Sequence, residues 1–193
     1  GLHVLDMGVS AHQNGSSIWV LPQDRTIYNR PTRSLRLQAM YEHYLEWGKE
    51  NKVGSISDPW KVEMVKPKSH SFACLRGNVK AGEQRWIVYF VFAVLSALPH
   101  RTPLMDLMLA TYAALVDFDM VCRRAGRVFT PAELTQFQEA GELFCVGYNA
   151  LAVHCQQTGL RLFKVVPKHH MLTHIIWISG RRPIPGRSTI TST

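Results

Sequence analysis

The stretch VVPKHHMLTHII, residues 165–176, places three histidines within six positions, behind a proline and a lysine. Imidazoles at this density can ligate a transition metal, face a phosphate, or pack and hydrogen-bond to neighbours. In a helix opening at Pro167, His170 and His174 are four apart and share one face, the spacing of two zinc ligands. The zincin pattern HExxH places a glutamate straight after the first histidine. Met171 stands there, so the general base of a metalloprotease is missing. A third ligand would come from elsewhere, with His154, Cys155 and His3 as the candidates. The phosphate reading uses Lys168, His169 and His170. They fall in the first helical turn, where free amide donors and the positive dipole end favour an anion.

Other catalytic signatures are lacking: the chain contains no GxSxG, no P-loop and no GxGxxG. Asp106, Asp117 and Asp119 fall on one predicted helix. Asp117 and Asp119 are two apart and do not share a face, so they read as a solvated helix surface. In KAGEQR, residues 80–85, Glu83 and Arg85 precede a very apolar run and need partners if buried. A salt bridge at the helix entry is the simplest role for Arg85, and anchoring a loop or a phosphate is the other. Cys74, Cys122, Cys145 and Cys155 form no CxxC pair and read as free thiols of an intracellular protein.

The elements that must carry these residues are mostly helical. Leu35, Leu37, Met40, Tyr41, Tyr44, Leu45 and Trp47 recur at helical spacing and predict an amphipathic helix over about 32–50. Residues 80–98 enter polar, turn apolar and stop before Pro99. Thr102 and Pro103 supply an N-cap and a first-turn proline for a helix reaching about Arg124. Thr130 and Glu133 form a capping box around TPAE. Behind it, Phe137, Ala140, Phe144, Tyr148, Leu151 and Cys155 make one apolar stripe up to Thr158-Gly159. Pro167 opens a last helix to about 178. Residues 1–21 read as a short strand and a helix or as one broken helix, and 51–79 as an irregular connection with room for a short strand. The expected fold is therefore mainly α, an irregular bundle of about five substantial helices. Residues 1–178 form one helical domain, and 179–193 a basic, disordered tail.

The chain has 193 residues, enough for one well-formed core, and a net charge of +8. The charge is uneven. Residues 161–193 carry six cations and no acid, whereas 103–160 carry six acids against three arginines. Such a basic end suits a polyanion. Residues 1–20 lack the basic start of a signal peptide. The longest apolar run, WIVYFVFAVLSAL at 86–98, is too short to span a bilayer, so no membrane partner is expected.

Five motifs in order, LHVLDMGVS (2–10), LRGNVKAGEQR (75–85), TPAE (130–133), YNALA (148–152) and PKHHMLTH (167–174), carry a resemblance. Together they resemble an uncharacterised family of dinoflagellate mobile-element proteins, itself similar to CACTA-like and Plavaka-like DNA transposases. The similarity covers roughly residues 1–178. It implies an RNase H-like parent core that cuts phosphodiesters with three carboxylates and divalent magnesium or manganese. In such relatives a D-x-[LM]-H motif looks like the source of the second acid. Here GLH matches only its last three positions, which puts that aspartate one residue before Gly1, while Asp6 matches a further acid of the motif. The third acid lies in an acidic cluster beyond the last histidine, where this chain reads SGRRPIPGRSTITST. The resemblance thus implies the helical insertion between the second and third acids, catalytically incomplete alone and nuclear in setting. DNA contact through Lys168, His169, His170, Arg181 and Arg182 is expected. A non-enzymatic helical interaction module and a small zinc protein using His170 and His174 are the competing readings.

Overall fold

A computed structural model describes residues 9–54, 58–66, 68, 70–76, 79–126 and 128–180. The fold is mainly helical, with seven α-helices and no strand among the described residues. In chain order these are α1 (Ser10–Val20), α2 (Arg33–Glu50), the single-turn α3 (Val62–Val65), α4 (Ala81–Ala97), α5 (Pro103–Arg124), α6 (Pro131–Gln157) and α7 (Pro167–Gly180). A 3₁₀ turn, Leu21–Gln23, continues α1.

The five helices expected from periodicity and capping are all present, within two residues of their expected ends. Thr102 accepts a hydrogen bond from the Met105 amide. The Thr130 and Glu133 capping box forms in both directions. Each fixes a helix start because a side-chain oxygen takes an amide that lacks an intrahelical acceptor. Behind the second box, all six residues of the predicted α6 stripe are buried. α6 packs on α5, α4 also packs on α5, and α7 packs on α6. Gly141 permits that last approach: a Cβ there would stand 2.6 Å from the Ile176 side chain.

One expectation is narrowed and two change. First, residues 10–20 form a helix, α1, the element common to both readings of residues 1–21. Second, no strand occupies the described part of 51–79. Residues 72–76 take no regular secondary structure, with Ala73 and Leu75 buried. Their amides bond to Arg161, Val65, Ala11 and Met64 carbonyls, which lie on a loop, two helices and a helix end, so no ladder partner exists. Third, Leu35 of the predicted α2 stripe is exposed and Arg36 is buried. The Arg36 guanidinium donates to the carbonyls of Pro22 and Arg30, closing the loop before α2. Any strand in residues 1–8 and the 181–193 tail lie outside the described residues.

No described helix is long and apolar enough to cross a membrane. All four cysteines are free thiols. Cys155 is buried and the other three half-buried.

Candidate nucleic-acid interface

α1 sits at the centre of the region that holds the candidate site, and it is unusual in what it buries. Ser10, Gln13, Asn14, Ser16 and Ser17 are all inside. Most find partners. Asn14 Nδ2 donates to the Gln84 side-chain and backbone oxygens at 2.9 and 2.8 Å. The Tyr112 hydroxyl lies 3.1 Å from Asn14 Oδ1 and 2.9 Å from Ser17 Oγ. Gly15 is the point of closest contact. The Leu75 amide donates to Ala11 O at 2.8 Å, and a Cβ on Gly15 would meet the Leu75 nitrogen at 2.3 Å.

α1 also pins the loop between α6 and α7. Ser16 Oγ accepts from the Phe163 amide at 2.7 Å, the Tyr148 hydroxyl donates to Lys164 O, and Leu160 N closes on Cys155 O. Phe163 is fully buried with φ 47°, a left-handed backbone rare for an aromatic residue. Held this way, the loop turns Leu162 and Phe163 inward and sends Arg161 and Lys164 outward.

Those two cations join three others. Arg33 lies 4.0 Å and Lys66 5.2 Å from the Trp19 ring centroid, and Lys164 lies 5.8 Å from that of Phe72. Arg161 donates to His70 O. Burial, then the charges of Arg33 and Arg161, lower the Lys66 ammonium pKa. Burial likewise raises the Cys74 thiol, against the pull of Arg76 and Lys164 nearby. Among the described residues, none of these five cations has a carboxylate within ion-pair distance. Unpaired cations repel one another, so crowding them is a cost that a polyanion would relieve. Two clefts open beside Lys66, Arg161 and Lys164, of about 610 Å³ and 340 Å³, sharing the Leu160–Leu162 segment as their common wall.

The residues singled out from sequence fall elsewhere on the fold. His169 is only 8% exposed, its ring centroid 4.1 Å from that of Tyr148, with Nδ1 against the Val166 backbone. Burial lowers its pKa to about 4, so it is neutral near pH 7 and turned away from any external phosphate. Lys168 is half-buried and His170 exposed, at the start of α7. His170 and His174 do pair, with their Nε2 atoms 2.9 Å apart, close enough to share one proton. Among the described residues no three His, Cys, Asp or Glu side chains converge as a metal would require. His154 and Cys155 do not join the pair. His3, Asp6, Arg181 and Arg182 lie outside the described residues.

One acid–base expectation also changes. Asp119 does not belong to a solvated surface: it is 3% exposed, paired with Arg85 at 3.2 Å and accepting from the Tyr89 hydroxyl at 2.9 Å. Arg85 thus makes the expected salt bridge near the start of α4, its partner Asp119 lying on α5, and Glu83 accepts from the Lys80 amide in the capping box of α4. Asp117 is exposed, as is Asp106, which pairs with Arg101.

Arg161 and Lys164 belong to the basic end read from sequence, whereas Trp19, Arg33, Lys66, Phe72 and Arg76 escaped that reading because they lie far from it along the chain. The one local hint is RLFKVV at 161–166, where two cations alternate with apolar residues. Comparison with known protein families, curated proteins and solved structures gives no match to this chain.

Proposed function

We propose that this chain is a catalytically incomplete, transposase-derived helical module that holds nucleic acid on the basic face around Arg161. The ordered motifs from LHVLDMGVS to PKHHMLTH support the derivation. The observation that carries the binding reading is the gathering of Arg33, Lys66, Arg76, Arg161 and Lys164 without an acidic partner among the described residues. Lys168 and His170 at the head of α7 extend the same chemistry, and Arg181 and Arg182 add charge beyond it. On this reading the face grips phosphates by counterion release. Affinity falls with salt, and each lost contact lowers the slope of log K against log salt by a little under one.

Fluorescence anisotropy with labelled DNA over a salt series tests this. Arg161→Ala and Lys164→Ala should each lower the slope, while Arg181→Ala with Arg182→Ala should leave most of the affinity in place. Binding that does not respond to salt, or no binding by a folded protein, overturns the proposal.

A second reading, a helical module that pairs with another copy of itself, draws on one observation. Val146 and Trp177 line one groove between α6 and α7, Met120 and Leu143 line another between α5 and α6, and all four are largely exposed. Concentration-dependent sedimentation lost in Val146→Lys would favour it. A monomer at every concentration would end it.

A further inference from the structure

The two clefts on the basic face are built alike. The larger pairs the Phe72 ring with the Lys164 ammonium, and the smaller pairs the Trp19 ring with that of Lys66. Arg161 stands in the wall between them and lines both. Each cleft thus offers a ring and a cation, with a further cation at the junction. We infer that this face binds single-stranded nucleic acid, one base entering each cleft against Phe72 or Trp19 and the intervening phosphate resting on Arg161. The inference rests on the proposed nucleic-acid function and specifies its substrate class.

The reasons are geometric and energetic. A duplex keeps its base faces stacked inside and presents phosphates and base edges, so rings recessed in clefts find no base face to stack on there. A single strand can splay its bases, and aromatic stacking is tolerant of base identity because every base has a π-face. The rings already carry cations, with Arg33 over Trp19 as the closest. An exposed cation–π contact is weaker than a base stacked on the same ring with its phosphate on the same cation, so the exchange favours the strand. Asp24 lines the Trp19 cleft, but its carboxylate is engaged by the Thr26 amide and hydroxyl at 2.8 and 2.7 Å. The clefts are held open by the pinned 160–164 loop, so they exist before a ligand arrives.

The test compares oligothymidylate of about twelve nucleotides with a duplex of equal length and with inorganic polyphosphate, which has charge but no bases. The expected result is tighter binding of the single strand, with quenching of tryptophan fluorescence that is absent with polyphosphate. Phe72→Leu should weaken single-strand binding about tenfold and leave duplex and polyphosphate binding unchanged. Trp19→Phe, which keeps a smaller ring in the cleft, should weaken single-strand binding less than Phe72→Leu does and remove most of the quench, assigning it to this tryptophan among the five in the chain. Duplex binding as tight as single-strand binding, with Phe72→Leu inert, overturns the inference and leaves the broader nucleic-acid proposal standing. No binding of any of the three probes by the folded protein overturns both.

Discussion

α1 and α4 pack against each other, and both are largely buried, yet they bury opposite chemistries. α4 hides Ile87, Val88, Phe90, Val91, Val94 and Leu95. α1 hides Ser10, Gln13, Asn14, Ser16 and Ser17, with Ile18 its single large apolar contribution. An apolar side chain gains by leaving water wherever it ends up, so α4 needs only a neighbour. A buried amide or hydroxyl gains little and loses much if left alone, so α1 is tolerated only where particular acceptors and donors wait for it. The apolar helix supplies stability, and the polar helix supplies position. It fixes the Phe163 amide and, through it, the loop that presents Arg161 and Lys164.

The sharpest way to break this contrast is at Gly15. Gly15→Val puts atoms where the Leu75 nitrogen and the Cys74 Cα already lie, at 2.3 and 2.5 Å from the added Cβ. Backbone cannot yield as a flexible side chain can. The expected cost exceeds about 4 kcal/mol, with loss of cooperative unfolding in denaturant titration. A stably folded Gly15→Val protein would contradict the tight seating of α1.

Next in size is the apolar side of the comparison. Phe90 is fully buried within a ring cluster with Tyr44, Trp47, Trp60 and His43. Phe90→Ala should cost about 3–5 kcal/mol by chemical denaturation. Asn14→Ala, on the polar side, should cost less, about 1–3 kcal/mol, because it strips partners from Gln84 and Tyr112 without opening so large a void. If Asn14→Ala proved the costlier of the two, polar α1 would be supplying the stability assigned here to α4.

The polar region should also respond to pH, and the apolar one should not. Burial lowers the pKa of both His12 and His169 from 6.5, the latter to about 4, and the positive charges of Lys164 and Arg76 push His12 the same way. The unfolded chain therefore takes up protons between about 6.5 and 4 that the folded chain resists. These groups cost nothing near neutrality, and stability falls as pH drops through that window. Thermal unfolding at about pH 7 and about pH 5 measures it, and His169→Phe should flatten the dependence. Equal melting temperatures in the wild-type protein would remove the buried histidines from the account. The smallest effect belongs to local capping: Thr130→Ala should cost about 1 kcal/mol and leave the basic face unchanged, as read by DNA affinity.

Much of this fold was legible because its signals are local. Thr102-Pro103, Thr130 with Glu133, and the 3.6-residue recurrence in α6 each act within a turn or two of the residues that carry them. The hidden face of α1 was illegible for the same reason. Periodicity assigns polar residues to solvent, and SAHQNGSS has no apolar stripe to reveal which face is hidden. Asp119 misled in the same way, since its partner Arg85 lies 34 positions earlier. Arg36 shows the reverse case: a residue in a charged-looking stretch goes inside because two loop carbonyls need a donor.

The sequence by itself determined the helical class, the helix starts and stops and the excess of positive charge, all of which follow from neighbours along the chain. Only the tertiary structure decided which charges meet. Arg33, Lys66, Arg76, Arg161 and Lys164 come together because a buried serine holds one backbone amide and a glycine lets the Cys74–Leu75 backbone reach a helix. Convergence of this kind depends on packing between distant segments, and no local pattern encodes it.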